Sequence, residues 1–431
     1  MTPRGARSLV PPPIGFGGGT TSADVSEAGV RLTAMQTRPA RAAFDIRHDD
    51  PRLRYRGAVS LERGPGWTAP WRLPRAEAAL YLPEGGLGRA AMPSGVRVAL
   101  RTDSASLVCR YQADPAPRLN GPGERARLDV LCDGRRAATV ELETHGGDAE
   151  FRCEGLPGRM ATVELWLPFY HQFRLRGLSV AAGAALEDDG PGSQPRWVHC
   201  GSSISQGRGA ASPSRTWTAL VARRAGWDLT SLALGASSCL EPMTARLMRD
   251  LPADLLTLCV GANVQALGSH SRDALVSALV GFVRTVREGH PTTPFAVMST
   301  ITAPEREEVP GPSGLTMREC RAHIRRAVTL LRDHGDTRLH HLHGPEVFGP
   351  ACTRLMLEPE GSDRLHPAAA GHPVLASRFT TLLRRAGCVP IPAALCPPSD
   401  GAQSHRTAVR AFSSPSLRGT GGSPSSSAAR S

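Results

Sequence analysis

The chain has 431 residues, 40% hydrophobic and 21% charged, a composition ordinary for globular domains and a length suited to two or three of them. The net charge is +12, but no lysine occurs, so all 51 Lys+Arg positions are arginine, scattered without a run of five or six. This excludes a P-loop, a Schiff-base lysine and a kinase-type phosphate site, and it argues against nucleic acid as a partner.

Residues 1–44 are rich in Gly, Pro, Thr and Ala without periodicity and read as a disordered N-terminal segment. The apolar pair Leu9-Val10 stops at Pro11, far short of a secretory h-region. No segment approaches the roughly 18 apolar residues of a membrane span. The expected location is therefore cytoplasmic, with no membrane partner. Ten cysteines occur without a C-x-x-C pair, several inside apolar runs such as Leu258-Cys259-Val260. They read as buried thiols in a reducing compartment.

Residues 45–185 read as an all-β sandwich domain. Val96-Arg-Val-Ala-Leu-Arg alternates with period two, and Leu128-Asp-Val-Leu-Cys, Asp133-Gly134 and Ala137-Ala-Thr-Val-Glu-Leu form a hairpin around a favoured turn pair. Val163-Glu-Leu-Trp-Leu and Phe173-Arg-Leu-Arg-Gly-Leu-Ser-Val add two more strands. Leu186 to Pro195 is a linker by composition. Residues 196–388 then alternate strand and helix: strands at Trp197–Cys200, Leu229–Leu234, Leu255–Val260 and Phe295–Met298, and helices at Thr216–Ala225, Arg272–Arg287, Met317–His334 and Pro373–Arg385. This rhythm predicts an α/β domain with a parallel sheet, its third strand apolar on both faces. Residues 389–431 read as a disordered Ser/Pro-rich tail.

In such a sheet, ligands bind beyond the carboxyl ends of the strands. There the sequence places Gly201-Ser202-Ser203-Ile204, Gly235-Ala236-Ser237-Ser238 and Gly261-Ala262-Asn263, with Ser362-Asp363-Arg364-Leu365-His366-Pro367 near the C-terminus. These supply what acyl transfer requires. A serine hydroxyl needs a base, a histidine can be that base, and a carboxylate can orient the histidine. Backbone N–H groups of Ser203 and Gly235 and the Asn263 amide are candidate oxyanion donors.

The four blocks together resemble the SGNH (GDSL-like) hydrolase superfamily, with Ser203, Gly235, Asn263 and His366 at its four named positions and Asp363 three residues before the histidine. Pro304-Glu-Arg-Glu-Glu and the later Gly-Leu-Thr-Met look like members that carry an N-terminal β-domain. The resemblance implies a flavodoxin-like, three-layer domain, a catalytic triad of Ser203, Asp363 and His366, and no cofactor or metal. Ser202 replaces the usual aspartate of Gly-Asp-Ser, and Val264 replaces the one after Asn263, as in the branch with a Gly-Ser-Ser-Ile-Thr type block.

Competing readings remain beside this one. Ser202, Ser205, Ser237 and Ser238 read as turn residues bonding local backbone. Cys200 and Cys239 read as packing rather than nucleophiles. The run His340-His341-Leu342-His343 lacks the separated second ligand group of a zinc site. The G-x-S-x-G elbow of the α/β-hydrolases is absent. Trp67, Trp71, Tyr170 and Phe173 are candidate substrate contacts from the β-domain, with core packing favoured. The expected activity is hydrolysis of a carboxylic ester of a small molecule or an acylated sugar. The alternatives are acyl transfer to a natural-product hydroxyl and a non-catalytic carbohydrate-binding protein. The oligomeric state stays open.

Overall fold

Residues 31–33, 43–81, 88–114, 125–357 and 364–390 are described by the computed structural model of the chain. The expectations for 1–44 and 389–431 fall mainly outside these residues. One correction is visible: Arg31–Thr33 is a strand, pairing antiparallel with Arg152–Glu154 and covering the backbone groups of that sheet edge.

The N-terminal half is a sandwich of two antiparallel sheets. The first joins, in order, 31–33, 148–154, 106–113, 173–181, 67–71 and 60–64, with 43–47 pairing along 173–181. The second joins 186–187, 97–102, 161–166, 127–132 and 135–141, with 54–56 along 97–102. Alternating residues of both sheets, among them Val98, Leu100, Leu107, Val130, Leu165 and Leu175, fill the space between them. The predicted hairpin forms at Asp133 (φ 46°) and Gly134 (φ 72°), the left-handed pair that a two-residue turn requires.

The second half is a five-stranded parallel sheet: β1 (Arg196–Cys200), β2 (Asp228–Ser231), β3 (Leu255–Val260), β4 (Phe295–Ser299) and β5 (Leu339–Leu342). The spatial order β2-β1-β3-β4-β5 is that of a flavodoxin-like doubly wound domain. Neighbouring residues of β3 serve opposite layers. Leu256 and Leu258 pack with Leu275, Leu279, Ile324 and Val328 on one face, and Leu255 packs with Leu220, Leu375 and Phe379 on the other. The flanking helices include α1 (Ser203–Gln206), α2 (Trp217–Ala225), α3 (Pro242–Asp250), α4 (Ala262–Leu267), α5 (Arg272–Gly289), α6 (Met317–Asp333), α7 (Gly344–Val347) and α8 (Gly371–Arg385). Helix α6 starts at a reciprocal cap, with the Glu319 N–H donating to Thr316 Oγ1 and the Thr316 N–H to the Glu319 carboxylate.

Several elements differ from the sequence reading. Strand β2 ends at Ser231 rather than Leu234, although Leu232 and Leu234 still donate to the carbonyls of His199 and Gly201. Helix α3 was not anticipated. Nor was β5, whose polar His340-His341 centre hides its strand character.

The linker also behaves differently from its composition. Leu186–Glu187 joins the second sandwich sheet, and Asp188 and Asp189 pair with Arg54 and Arg56. The two halves are then locked by buried polar bonds. Asp129 of the sandwich accepts from Thr139 Oγ1, Ser212 Oγ and the Ser214 N–H, the last two at 2.7 and 2.8 Å. Arg72, fully buried, donates to the carbonyls of Met92, Arg89, Ser231 and Ala233. Burial pulls its guanidinium down to about 9, which leaves it protonated at neutral pH. A buried donor fork satisfied by four carbonyls holds the end of β2, and the loop after it, against the sandwich.

Candidate active site

Strand β1 delivers the chain to Gly201, where a Cβ would lie 2.4 Å from Ser205 Oγ, so only glycine allows the tight entry into α1. Ser203 opens that short helix, half-buried. His366 arrives from the other end of the chain. A bridge between Met356 and Pro367 pins its loop, with the Leu357 N–H donating to the His366 carbonyl at 2.7 Å. The Ser203 hydroxyl lies 2.6 Å from His366 Nε2 and donates to it when the ring proton sits on Nδ1. Asp363 lies outside the described residues, so the third triad position carries no geometry.

Gly235 borders the same point. A Cβ on it would stand 3.3 Å from Ser203 Cβ, 3.3 Å from the Tyr170 hydroxyl and 3.2 Å from Gln206 Oε1. Its N–H does not face an open site. It donates to Gln206 Oε1 at 2.7 Å, and Gln206 Nε2 in turn donates to the Phe169 carbonyl at 2.8 Å.

Asn263, read as a loop residue, sits in the first turn of α4, turned in by Gly261 at φ 124°. One amide hydrogen goes to the Ser237 carbonyl, and the NH2 group carries a second hydrogen besides it. Ser202, Ile204, Ser238, Asn263 and Ile301 line a cavity of about 20 Å³, room for a water-sized group, that Ser203 itself does not line.

The loop following β2 is strained. Ala236, Ser238 and Leu240 have φ of 58°, 69° and 68°, three of the four non-glycine residues with positive φ among those described. Such strain persists only where surroundings over-determine it. Here Ser238 Oγ donates to the Gly201 carbonyl, and Glu241 accepts from Ser237 Oγ at 2.9 Å and from the Cys239 N–H at 2.8 Å. The turn reading of these serines is corrected: Ser237 bonds the Glu241 side chain, and Ser238 reaches across to the loop after β1 rather than to local backbone. Val264 is fully buried in the core, so an apolar contact fills the position where an aspartate is usual.

Burial pushes the Cys200 and Cys239 thiols up to about 12 and about 11, far from thiolate reactivity at neutral pH. His340 and His341 leave β5 on opposite faces. No group of three His, Cys, Asp or Glu side chains able to hold a metal exists among the described residues. No helix of the described residues is long and apolar enough to cross a membrane.

Of the four β-domain aromatics, Tyr170 is the one placed against the site residues. Phe173 stacks on Tyr111 in the sandwich core, Trp71 donates to Glu62 and lies beside Arg75, and Trp67 lies beside Arg174. Gln206 was not singled out from the sequence. Its place three residues after Ser203 is the one signal that could have found it.

Residues 195–377 match the GDSL-like lipase/acylhydrolase family, and residues 53–176 match the SsfX3 N-terminal domain. Among solved structures, the chain is similar to the salicylyl-acyltransferase SsfX3 from a tetracycline biosynthetic pathway. That match has 46% identity and a TM-score of 0.77 and covers 82% of this chain and 100% of that one. A protein from Bacteroides ovatus ATCC 8483, described as a GDSL-like lipase, shares the fold at 19% identity and TM-score 0.66, covering 80% and 98%. A family two carbohydrate esterase from Clostridium thermocellum does so at 13% and 0.55, covering 78% and 100%. No curated protein matches the chain.

The layered fold and the family match define an esterase or acyltransferase. The chain belongs to the GDSL-like lipase/acylhydrolase family, with an SsfX3-type domain in front, and its chemistry is ester hydrolysis or acyl transfer.

Proposed function

We propose that the chain forms an acyl-enzyme on Ser203 and passes the acyl group to a hydroxyl acceptor. The observation that carries this reading is the 2.6 Å contact between Ser203 Oγ and His366 Nε2. As Ser203 Oγ attacks the ester carbonyl, His366 Nε2 takes its proton, and Asp363 orients the ring and stabilises the imidazolium. The Ser203 N–H and the Asn263 amide face the oxyanion; the Gly235 N–H joins them only if Gln206 releases it. Collapse expels the leaving group, which takes the proton from His366. The acceptor hydroxyl then gives its proton to His366 as it attacks, and Ser203 is regenerated.

An organic hydroxyl as acceptor makes the enzyme an acyltransferase. This reading is supported by 46% identity along the whole of a salicylyl-acyltransferase. Water as acceptor gives ester hydrolysis of a small-molecule or sugar ester, supported by the family description of residues 195–377.

Hydrolysis of p-nitrophenyl acetate and butyrate by wild type and Ser203→Ala tests the nucleophile. The variant is expected to lose more than about 1,000-fold in kcat. Equal rates overturn the assignment. Adding a phenolic or sugar hydroxyl acceptor and following the transferred acyl group separates transfer from hydrolysis.

A further inference from the structure

We propose that an arginine-lined groove at the joint between the two halves binds a small molecule carrying two or more phosphate groups. The groove has a volume of about 640 Å³. Arg135, Arg136 and Arg159 of the sandwich and Arg215 and Arg223 of the α/β half line it. None of these residues belongs to the site around Ser203, and the proposal does not depend on that site.

The charge in the groove is unbalanced. Among the described residues, Asp133 is the one carboxylate that lines it, against five arginines. That carboxylate is already engaged, since it accepts from Arg159 at 2.8 Å and from the Thr162 N–H at 3.0 Å. Arg135, Arg136 and Arg215 form no ion pair among the described residues. In the same sandwich, Arg54, Arg110 and Arg125 each meet a carboxylate. The strand 135–141 is bulged just past its two arginines, and both line the groove.

Arg223 anchors the cluster. It sits half-buried in the last turn of α2, and its guanidinium donates to the Ser214 carbonyl at 3.1 Å and the Gly134 carbonyl at 2.9 Å, one from each half. Burial lowers its proton affinity, and the charges of Arg136 and Arg215 push the same way. Glu164 and Asp129 oppose them but are committed elsewhere. Glu164 pairs with Arg97 and accepts from Trp166, and Asp129 accepts from Thr139, Ser212 and Ser214. Three like charges from two halves are therefore held together against their repulsion. A fold carries such a local conflict where a ligand of opposite charge relieves it.

The ligand class follows from charge and size. Guanidinium forks take phosphate oxygens in pairs. One phosphate brings at most two charges at neutral pH, fewer than this cluster holds. The volume suits a small organic molecule rather than a lone ion or a protein surface. The position argues against a substrate. Ser203 follows the carboxyl end of β1, whereas α2 carries Arg223 back toward the amino end of β2, which opens at Asp228. A phosphate bridging Arg136 and Arg215 would tighten the joint between the halves.

The test is calorimetric titration with phosphate, pyrophosphate and tripolyphosphate at constant ionic strength, with Tm measured beside it. The proteins are wild type, Arg136→Gln, Arg215→Gln and Arg284→Gln. Arg284 is exposed on α5, so its replacement removes the same charge from a distant surface. Fluorophosphonate labelling of Ser203 reports folded protein in each variant.

Affinity should rise from phosphate to tripolyphosphate and fall by about tenfold or more in Arg136→Gln and Arg215→Gln. Arg284→Gln should bind as wild type does. Without ligand, Arg136→Gln and Arg215→Gln should melt at or above the wild-type Tm, because a repulsion is gone. Tripolyphosphate should raise the Tm of wild type more than theirs. No binding of tripolyphosphate, or equal weakening in Arg284→Gln, overturns the site. A lower Tm in both ligand-free groove variants also overturns it, because the arginines would then be structural. A single-stranded oligonucleotide that binds more tightly than tripolyphosphate overturns the ligand class.

Discussion

Replacing Gln206 by leucine probes the joint between the two halves where it meets the site. Leucine keeps most of the buried volume, so the change is mainly the loss of two hydrogen bonds, from the Gly235 N–H at 2.7 Å and to the Phe169 carbonyl at 2.8 Å. Both backbone partners would be stranded away from water. Each stranded group costs about 1–3 kcal/mol, so the pair costs about 2–6 kcal/mol. The cost should appear as a lower urea midpoint, followed by tryptophan fluorescence, with the slope unchanged. Gln206→Glu separates the two bonds: it keeps an acceptor for Gly235 but turns a carboxylate oxygen against the Phe169 carbonyl. The loop after β2 loses an anchor in Gln206→Leu, so fluorophosphonate labelling should slow as well. A stability loss under about 1 kcal/mol would refute the accounting. Labelling faster than wild type would refute the positioning role, because it would mean that the Gly235 amide, once freed, serves the oxyanion.

Two further outcomes follow from the geometry. Gly209 has φ 82°, and a Cβ on it would lie 2.3 Å from the Pro367 carbonyl, next to His366. Gly209→Ala should displace the histidine loop, slow labelling by roughly tenfold or more and cost about 1–3 kcal/mol; wild-type labelling would contradict this. The second concerns pH. Burial pulls His199 down to about 3 and His372 down to about 4. The unfolded chain takes up protons at these residues below about pH 6.5, while the folded chain resists until much lower. The stability they contribute is therefore complete above pH 6.5 and drains as pH falls toward 4, by about 2 kcal/mol per histidine at pH 5. Urea midpoints at pH 7.5, 6 and 5 should decline, and His372→Gln should flatten the decline. A profile level down to pH 5 would refute it.

Much of the fold was legible because its signals are local. Leu255–Val260 is apolar but for Thr257, as suits a strand covered on both faces, and Asp133-Gly134 carries its turn in two residues. Helix α3 was missed although Glu241-Pro242 marks its start and Met243, Leu247 and Met248 share a buried face, because its nine residues are too few for a sustained periodic pattern. Strand β5 was missed because its histidines are only half-buried on an edge. The placement of Ser203 just after β1 and of His366 just before α8 could be anticipated because the ends of those elements are visible in the chain.

The sequence by itself determined the α/β order, the sandwich before it, and the residue types of an acyl-transfer site, since these depend on side-chain period and on chemistry carried within short blocks. Only the tertiary structure decided that the apparent linker is bound into the sandwich, that the Gly235 N–H belongs to Gln206, and that Tyr170 lies beside Gly235. Those three outcomes depend on which way each loop turns after leaving its strand and on which buried polar groups then find partners. Residues 170, 206 and 235 come from three such loops, and no spacing along the chain encodes their meeting.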